Sequence, residues 1–189
     1  MSRAIAILRI FFGLVYFTNG LAKFVPGIAH LPGGYFLIDS NGARSIIEHN
    51  AQHHPIQAYH DLVFNVFVPN WPLFGPLLGL AEMTAGLLLI LGLATSVGAL
   101  LAALLSLHVQ ISDATGPWLY EYAVEWVPLL CLVFMRAGTA WGVDGVIAQG
   151  NPRWRRLFGP HPGLHPGPPQ PSAVPAKSKD LGWRGGREG

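Results

Sequence analysis

The sequence predicts an all-α fold, a four-helix transmembrane bundle with a structured extracytoplasmic loop between the first and second helices. Of its 189 residues, 51% are hydrophobic and only 12% are charged, whereas a soluble domain carries about 25% charged residues. The apolar residues are also gathered into runs long enough to cross a bilayer, which takes roughly 20 residues at 1.5 Å rise each. The charges collect between these runs and toward the C-terminus, a segregation that a soluble core does not require.

Four runs emerge: Ala4–Phe24, Leu73–Leu93, a shorter Ser96–Ile111, and Tyr122–Ala140. The first follows Arg3 as a signal peptide would. It continues to Phe24, however, is interrupted by Arg9 and ends without a small-x-small cleavage pattern, so a retained helix is expected. Ala94 and Thr95 leave room only for a tight antiparallel hairpin between the second and third runs. Gly116 and Pro117 separate the third from the fourth.

Lys and Arg near helix ends set orientation. One side receives Arg3, Arg9, Arg153, Arg155 and Arg156. The other receives Lys23 and Arg44 among Asp39, Glu48, Asp61, Asp113 and Glu121. Both termini are therefore expected in the cytoplasm, with the chain a multi-pass membrane protein. The membrane domain spans residues 1–158, including an extracytoplasmic loop over 25–72. Within that loop, Pro26 to Gly34 reads as irregular, and Asn41–His54 and Ile56–Val68 read as short amphipathic helices broken at Pro55. Trp71 and Pro72 mark re-entry at the interface. Residues 159–189, rich in Pro and Gly with scattered Lys and Arg, are expected to be a disordered cytoplasmic tail.

Ionisable groups inside membrane helices cost roughly 2.5–3.5 kcal/mol each on insertion scales and are by default functional or mutually paired. Arg9, Glu82, Glu125 and Arg136 are such groups, with Lys23 at the outer end of the first helix. At 100° per residue, Arg9, Gly13, Tyr16, Gly20 and Lys23 share a stripe, as do Gly75, Gly79, Glu82 and Gly86, and Glu121, Glu125 and Arg136. Small residues flanking polar ones suit close helix contact. Counting rises places Arg9 and Arg136 about 8 Å in and Glu82 about 16 Å in. Both arginines are therefore expected to reach toward Glu82, and Lys23 toward Glu125. The charges form either a structural network that fixes register or a site that binds a polar head group or relays protons.

Glu82, Arg9 and His108 are the catalytic candidates. Arg136, Glu125, Lys23, Tyr16 and Trp126 are the cofactor-binding candidates. His108, beside Gln110, can titrate near neutral pH or hold a cofactor edge. His49, His53, His54 and His60 are set either as a metal site or as solvated loop residues, and because Pro55 breaks the geometry no metal is expected. Trp118, Tyr120, Tyr122 and Trp126 form either an interfacial belt or the lining for a flat ligand such as a quinone. The run Arg153-Trp154-Arg155-Arg156 suits a juxtamembrane anchor on anionic lipid. A paired haem would need a second intramembrane histidine, and no haem or flavin motif is present. Cys131, the single cysteine, is expected to be a buried thiol outside any disulfide or CxxC chemistry.

The order Arg9-x-x-x-Gly13, Gly20-x-x-Lys23-Phe24, Glu82-x-x-x-Gly86, Leu91-Gly92-Leu93 and Gly142-x-Asp144 resembles the DoxX/DoxD family of small bacterial membrane proteins. The resemblance covers Arg9 to about Asp144. The long first loop is similar to the DoxD branch, the membrane subunit of thiosulfate:quinone oxidoreductase. The resemblance implies a bound quinone, oxidation of thiosulfate to tetrathionate, and a partner subunit or homo-oligomer in contact with membrane lipids. It implies a place in the bacterial cell (inner) membrane; no nucleic-acid partner is expected. The competing expectation is a non-enzymatic membrane scaffold or assembly factor that recruits other proteins.

Overall fold

The computed structural model describes residues 2–25, 27–28, 37–114 and 120–159. The described residues are helical or irregular, without strands. In chain order they form α1 (Ser2–Ala22), α2 (Ser40–Gln52), α3 (Gln57–Leu62) running into a π turn (Val63–Phe67), α4 (Trp71–Leu91), α5 (Thr95–Ser112), α6 (Tyr120–Met135), a 3-10 turn (Ala137–Thr139), α7 (Val143–Gly150) and α8 (Pro152–Phe158). Three helices, α1, α4 and α5, are long and apolar enough to cross a membrane, with mean hydropathies of 1.7, 1.8 and 1.5. The fourth, α6, is apolar but shorter. Of the expected irregular segment from Pro26 to Gly34 only Gly27 and Ile28 are described; the separator at Gly116 and Pro117, Trp118, and the tail beyond Gly159 lie outside the described residues, as do the side chains of Tyr120 and Glu121.

The bundle has an apolar core that includes Phe12, Leu89, Leu129 and Leu132, with a few polar groups buried beside it, and its outer surface is apolar as well. Ile7, Leu73, Leu104 and Phe134 stand outward at 66%, 66%, 53% and 73% exposure, whereas Arg9, Tyr16, Ser106 and Asp144 are buried. A protein in water could not leave such a surface bare, and lipid is the solvent that accommodates it. Cys131 faces outward and is exposed, which corrects the expected buried thiol.

α1 packs chiefly on α4, and α5 on α6 and α4. Glycines set the first contact. Gly13 and Gly20 on α1 meet Gly86 and Gly79 on the antiparallel α4 so closely that side chains are excluded. A Cβ at Gly20 would lie 2.6 Å from the Met83 nitrogen, and one at Gly86 would collide with the backbone of Phe17. Both pairs are seven residues apart, two helical turns, so the contact repeats in register. On α5 the small side of the helix (Gly98, Ala99, Ala102, Ala103 and Ser106) is buried, letting its neighbours approach in the same way.

The loop helices form where the sequence places them. Asp39 caps α2 by accepting from Gly42 N–H at 2.7 Å, and α2 ends before Pro55. Docking on the bundle is polar: Asn50 donates to Ser112 Oγ at 3.2 Å, and Trp71 Nε1 to Ser40 Oγ at 3.1 Å. The run expected over Tyr122–Ala140 instead stops at Met135. Arg136 takes a left-handed backbone (φ 47°) and the chain tightens into the 3-10 turn. Likewise α4 stops at Leu91, because Gly92 turns left-handed at φ 66°, a C-terminal stop that glycine makes without steric cost.

Gly86→Ala is expected to lower the thermal midpoint in detergent, at a cost of about 1–3 kcal/mol for overpacking. Gly150→Ala, with nothing within 4 Å of its added Cβ, is expected to leave the midpoint unchanged in the same melts.

Candidate functional site

The buried polar groups form two clusters at opposite ends of the bundle. One lies at the end that carries the start of α1, the α4–α5 turn and α7–α8. The other lies beneath the loop helices.

At the first end Arg9 is fully buried. It does not reach Glu82. Its Nη1 donates to the carbonyls of Ala137 and Ala140, both at 3.0 Å, and its Nη2 to that of Trp141 at 3.3 Å. The guanidinium thereby satisfies carbonyls released where α6 gives way to the 3-10 turn, a common use of arginine at helix C-termini. Gly92 and Gly142 stand against it, since a Cβ on either would collide with Nη1. Beyond them lies Asp144, 1% exposed. Its Oδ1 accepts from Ala94 N–H at 2.7 Å and Trp154 Nε1 at 3.1 Å, its Oδ2 accepts from Thr95 N–H at 2.9 Å, and its own N–H donates to Gly92 O at 2.8 Å. The N-cap residue of α5, Ala94, has no side chain able to cap. Asp144 therefore supplies the cap from fifty residues away, where a negative charge also complements the helix N-terminus.

Arg136, expected beside Glu82, leaves the helix face at its left-handed turn and donates to Gly159 O at 3.0 Å. The expectation that two arginines converge on Glu82 is thus corrected. The reason is that both arginines satisfy carbonyls at chain reversals on their own end.

At the other end Lys23 pairs with Glu82, not with Glu125, at 2.6 Å. The Lys23 ammonium also donates to Ile38 O at 3.3 Å and to Asn19 O at 3.4 Å, while Asn19 Oδ1 accepts from Ile38 N–H at 3.1 Å. The pair is thereby locked under the start of the loop. Its side chains are 2% and 15% exposed, and the bonds beyond the ion pair are what offset the desolvation of two charges.

Glu125 on α6 is different. It accepts from Ser106 Oγ at 3.2 Å and adjoins Tyr16, whose hydroxyl donates to Ala102 O at 2.9 Å. Among the described residues no Lys or Arg forms an ion pair with it. Trp126 Nε1 donates to Gln110 Oε1 next to this cluster, and Tyr122 donates to Asp113 at 3.2 Å. Sequence spacing put Glu125 on a polar face but could not show that Lys23 would be taken by Glu82.

His108 is exposed on α5. Its ring lies 6.2 Å from that of Tyr59, and no hydrogen bond among the described residues ties it to Arg9 or Glu82. The loop histidines are dispersed. His49 and His53 stack at 5.2 Å, and His54 Nε2 meets Ile111 O at 3.1 Å. Among the described residues no group of three or more His, Cys, Asp or Glu is arranged to hold a metal. Hydrogen bonds from His60 and Gln57 hold the exposed Asp61 carboxyl below its ordinary range, and burial pushes the Tyr59 phenol up.

Comparison of the chain with protein-family models, curated proteins and solved structures finds no match. The DoxX/DoxD resemblance therefore rests on the motif residues themselves, and these fall into two sets. Gly13, Gly20, Lys23, Glu82 and Gly86 make the α1–α4 seam and its ion pair. Arg9, Gly92, Gly142 and Asp144 make the capped knot at the other end.

Removing one member of the Lys23–Glu82 pair strands the other, at about 3–5 kcal/mol. Lys23→Met and Glu82→Gln are each expected to destabilise the protein in steric-trapping or thermal measurements, and the double variant to lose less than their sum. Asp144→Ala leaves three donors unpaired, each costing about 1–3 kcal/mol if buried. Its expected readout is a lower melting point with faster amide exchange at Ala94 and Thr95.

Proposed function

We propose that the chain is the membrane subunit of a quinone-linked oxidoreductase. In this reading α1, α4, α5 and α6 cross the membrane as a four-helix bundle, with the Arg9 end in the bacterial cytoplasm and the loop helices outside. The observation that carries the proposal is Glu125, a partly buried carboxyl with hydroxyl neighbours and, among the described residues, no paired cation. An ionisable group so placed is by default functional. A carboxyl that meets hydroxyls alone can hand over or take up a proton without abandoning an ion pair.

The groups around it fit the head of a quinone. Ser106 and Tyr16 supply hydroxyls, Trp126 and Tyr122 supply flat faces, and Gln110 supplies an amide. A bound quinone supplies two-electron, two-proton chemistry. Glu125 would exchange a proton at the quinone oxygen, with Ser106 holding the carboxyl in place. The Lys23–Glu82 pair would hold α1 and α4 together and fix the depth of the site. The DoxD resemblance supplies the donor side: a partner subunit would take two electrons from two thiosulfate ions as they join into tetrathionate.

The emphasis thus moves from Glu82, Arg9 and His108 to Glu125, Tyr16 and Trp126. A non-enzymatic scaffold is the second reading, favoured by the structural bonds that occupy both Nη atoms of Arg9 and Oε2 of Glu82.

Purified protein with its native partners is expected to reduce a short-chain quinone with thiosulfate. Glu125→Gln should retain assembly and melting point while turnover falls about 100-fold, as for loss of a general acid–base group. Absence of quinone binding and of thiosulfate-dependent reduction, alone and with partners, would overturn the oxidoreductase reading. Unchanged turnover in Glu125→Gln would remove Glu125 from the site. Impaired association without altered turnover in Glu82→Gln would favour the scaffold.

A further inference from the structure

Where the end of α4 meets α7, a groove of about 400 Å³ opens at the Arg9 end. Its lining is mixed, with apolar side chains from Leu91, Trp141, Val143 and Val146 beside almost as much polar surface, to which Thr139 and Gln149 belong. Trp141 and Val146 are 70% and 69% exposed, so the groove presents its largest ring outward. That posture is built in. Trp141 adopts a left-handed backbone (φ 54°) and its carbonyl is held by Arg9.

Charge at this end has one sign. The Arg3 guanidinium lies 5.7 Å above the Trp141 ring, and Arg153, Arg155 and Arg156 are exposed on the adjoining α8. The one carboxylate described at this end, Asp144, is buried, and both its oxygens already accept hydrogen bonds. Among the described residues the exposed cations therefore have no carboxylate partner. The groove also runs into the outward apolar surface of α4, where Leu87 and Leu91 are 46% and 43% exposed.

We propose that this groove is a binding site for an anionic phospholipid. Its phosphate sits at Arg3, its glycerol region lies against Trp141, and the first methylenes of one chain lie along Val146 and Leu91. An aromatic ring with a polar rim and an arginine above it matches the boundary between head group and acyl chain. Fixed positive charge selects an anionic over a zwitterionic head. Continuity with the apolar face of α4 favours lipid over a soluble protein as occupant. The proposal rests on the chain lying in a membrane and does not depend on the quinone reading.

The test is native mass spectrometry of the full chain released from nanodiscs made of equal parts phosphatidylglycerol and phosphatidylcholine. Phosphatidylglycerol should be retained in preference to phosphatidylcholine as a 1:1 adduct. Arg3→Gln should reduce that preference about fivefold, the effect of one arginine at a charged surface. Val146→Asn should shorten retention of the adduct, and Arg44→Gln, at the opposite end of the bundle, should change nothing. Arg3 and Val146 are both exposed, so size-exclusion profiles of the variants should match the parent. Equal retention of the two lipids, or a preference untouched by both Arg3→Gln and Val146→Asn, would overturn the site. Recovery of a quinone rather than a phospholipid as the adduct that those two changes release would overturn the ligand.

Discussion

A helix that begins inside an apolar medium leaves its first N–H groups without partners, and hydrocarbon offers none. The α4–α5 hairpin meets this problem with one carboxylate, that of Asp144, which accepts from Ala94 and Thr95. Much of the Arg9 end follows from it. Glycine at 138 leaves room for the carboxyl, which a side chain there would strike. Trp154 closes α8 onto the same oxygen that receives Ala94. Arg9 balances the arrangement from the opposite face by collecting three carbonyls. Three non-glycine residues adopt left-handed backbones in this one region, Ala94, Arg136 and Trp141. Each costs roughly 1–2 kcal/mol, and such conformations persist only where surrounding bonds over-determine them.

The long helices were legible because a membrane helix announces itself through length and apolar content, which need no knowledge of partners. The loop helices were legible for a different reason: Asp39, the amphipathic period and Pro55 are local signals. Glycine spacing marks the faces suited to close packing, at Gly13 and Gly20 and at Gly79 and Gly86, but that these two faces meet is shown only by the structure. The ion pairs were not legible. Counting rises gives depth but not which helices are neighbours, so Lys23 was assigned to Glu125 although α1 in fact lies on α4 and delivers Lys23 to Glu82. Arg136 escaped for a further reason: nothing around it signals a left-handed turn, and that turn takes its side chain away from the helix face. The role of Asp144 as a cap in trans had a weak trace, in that α5 starts with Ala94 where a polar cap would be expected.

The two clusters divide the labour of the interior. At the Arg9 end the polar groups are bound to backbone, which fixes turns and is unsuited to change of charge. Beneath the loop helices side-chain partners join the backbone ones, and among the described residues Glu125 and Asp113 meet hydroxyls, those of Ser106 and Tyr122, rather than a cation. Chemistry that requires a change of protonation is more compatible with this end, where hydroxyls can reverse their donor and acceptor roles.

The position of Asp144 in the chain has a consequence for biogenesis. α4 and α5 leave the ribosome before the residue that completes their turn, and the segment carrying it follows α6. Until it arrives, the N–H groups of Ala94 and Thr95 lack the carboxylate that caps them in the folded chain. The last short helices of the described chain therefore serve as a clasp. Their arrival completes the turn that the earlier hairpin begins.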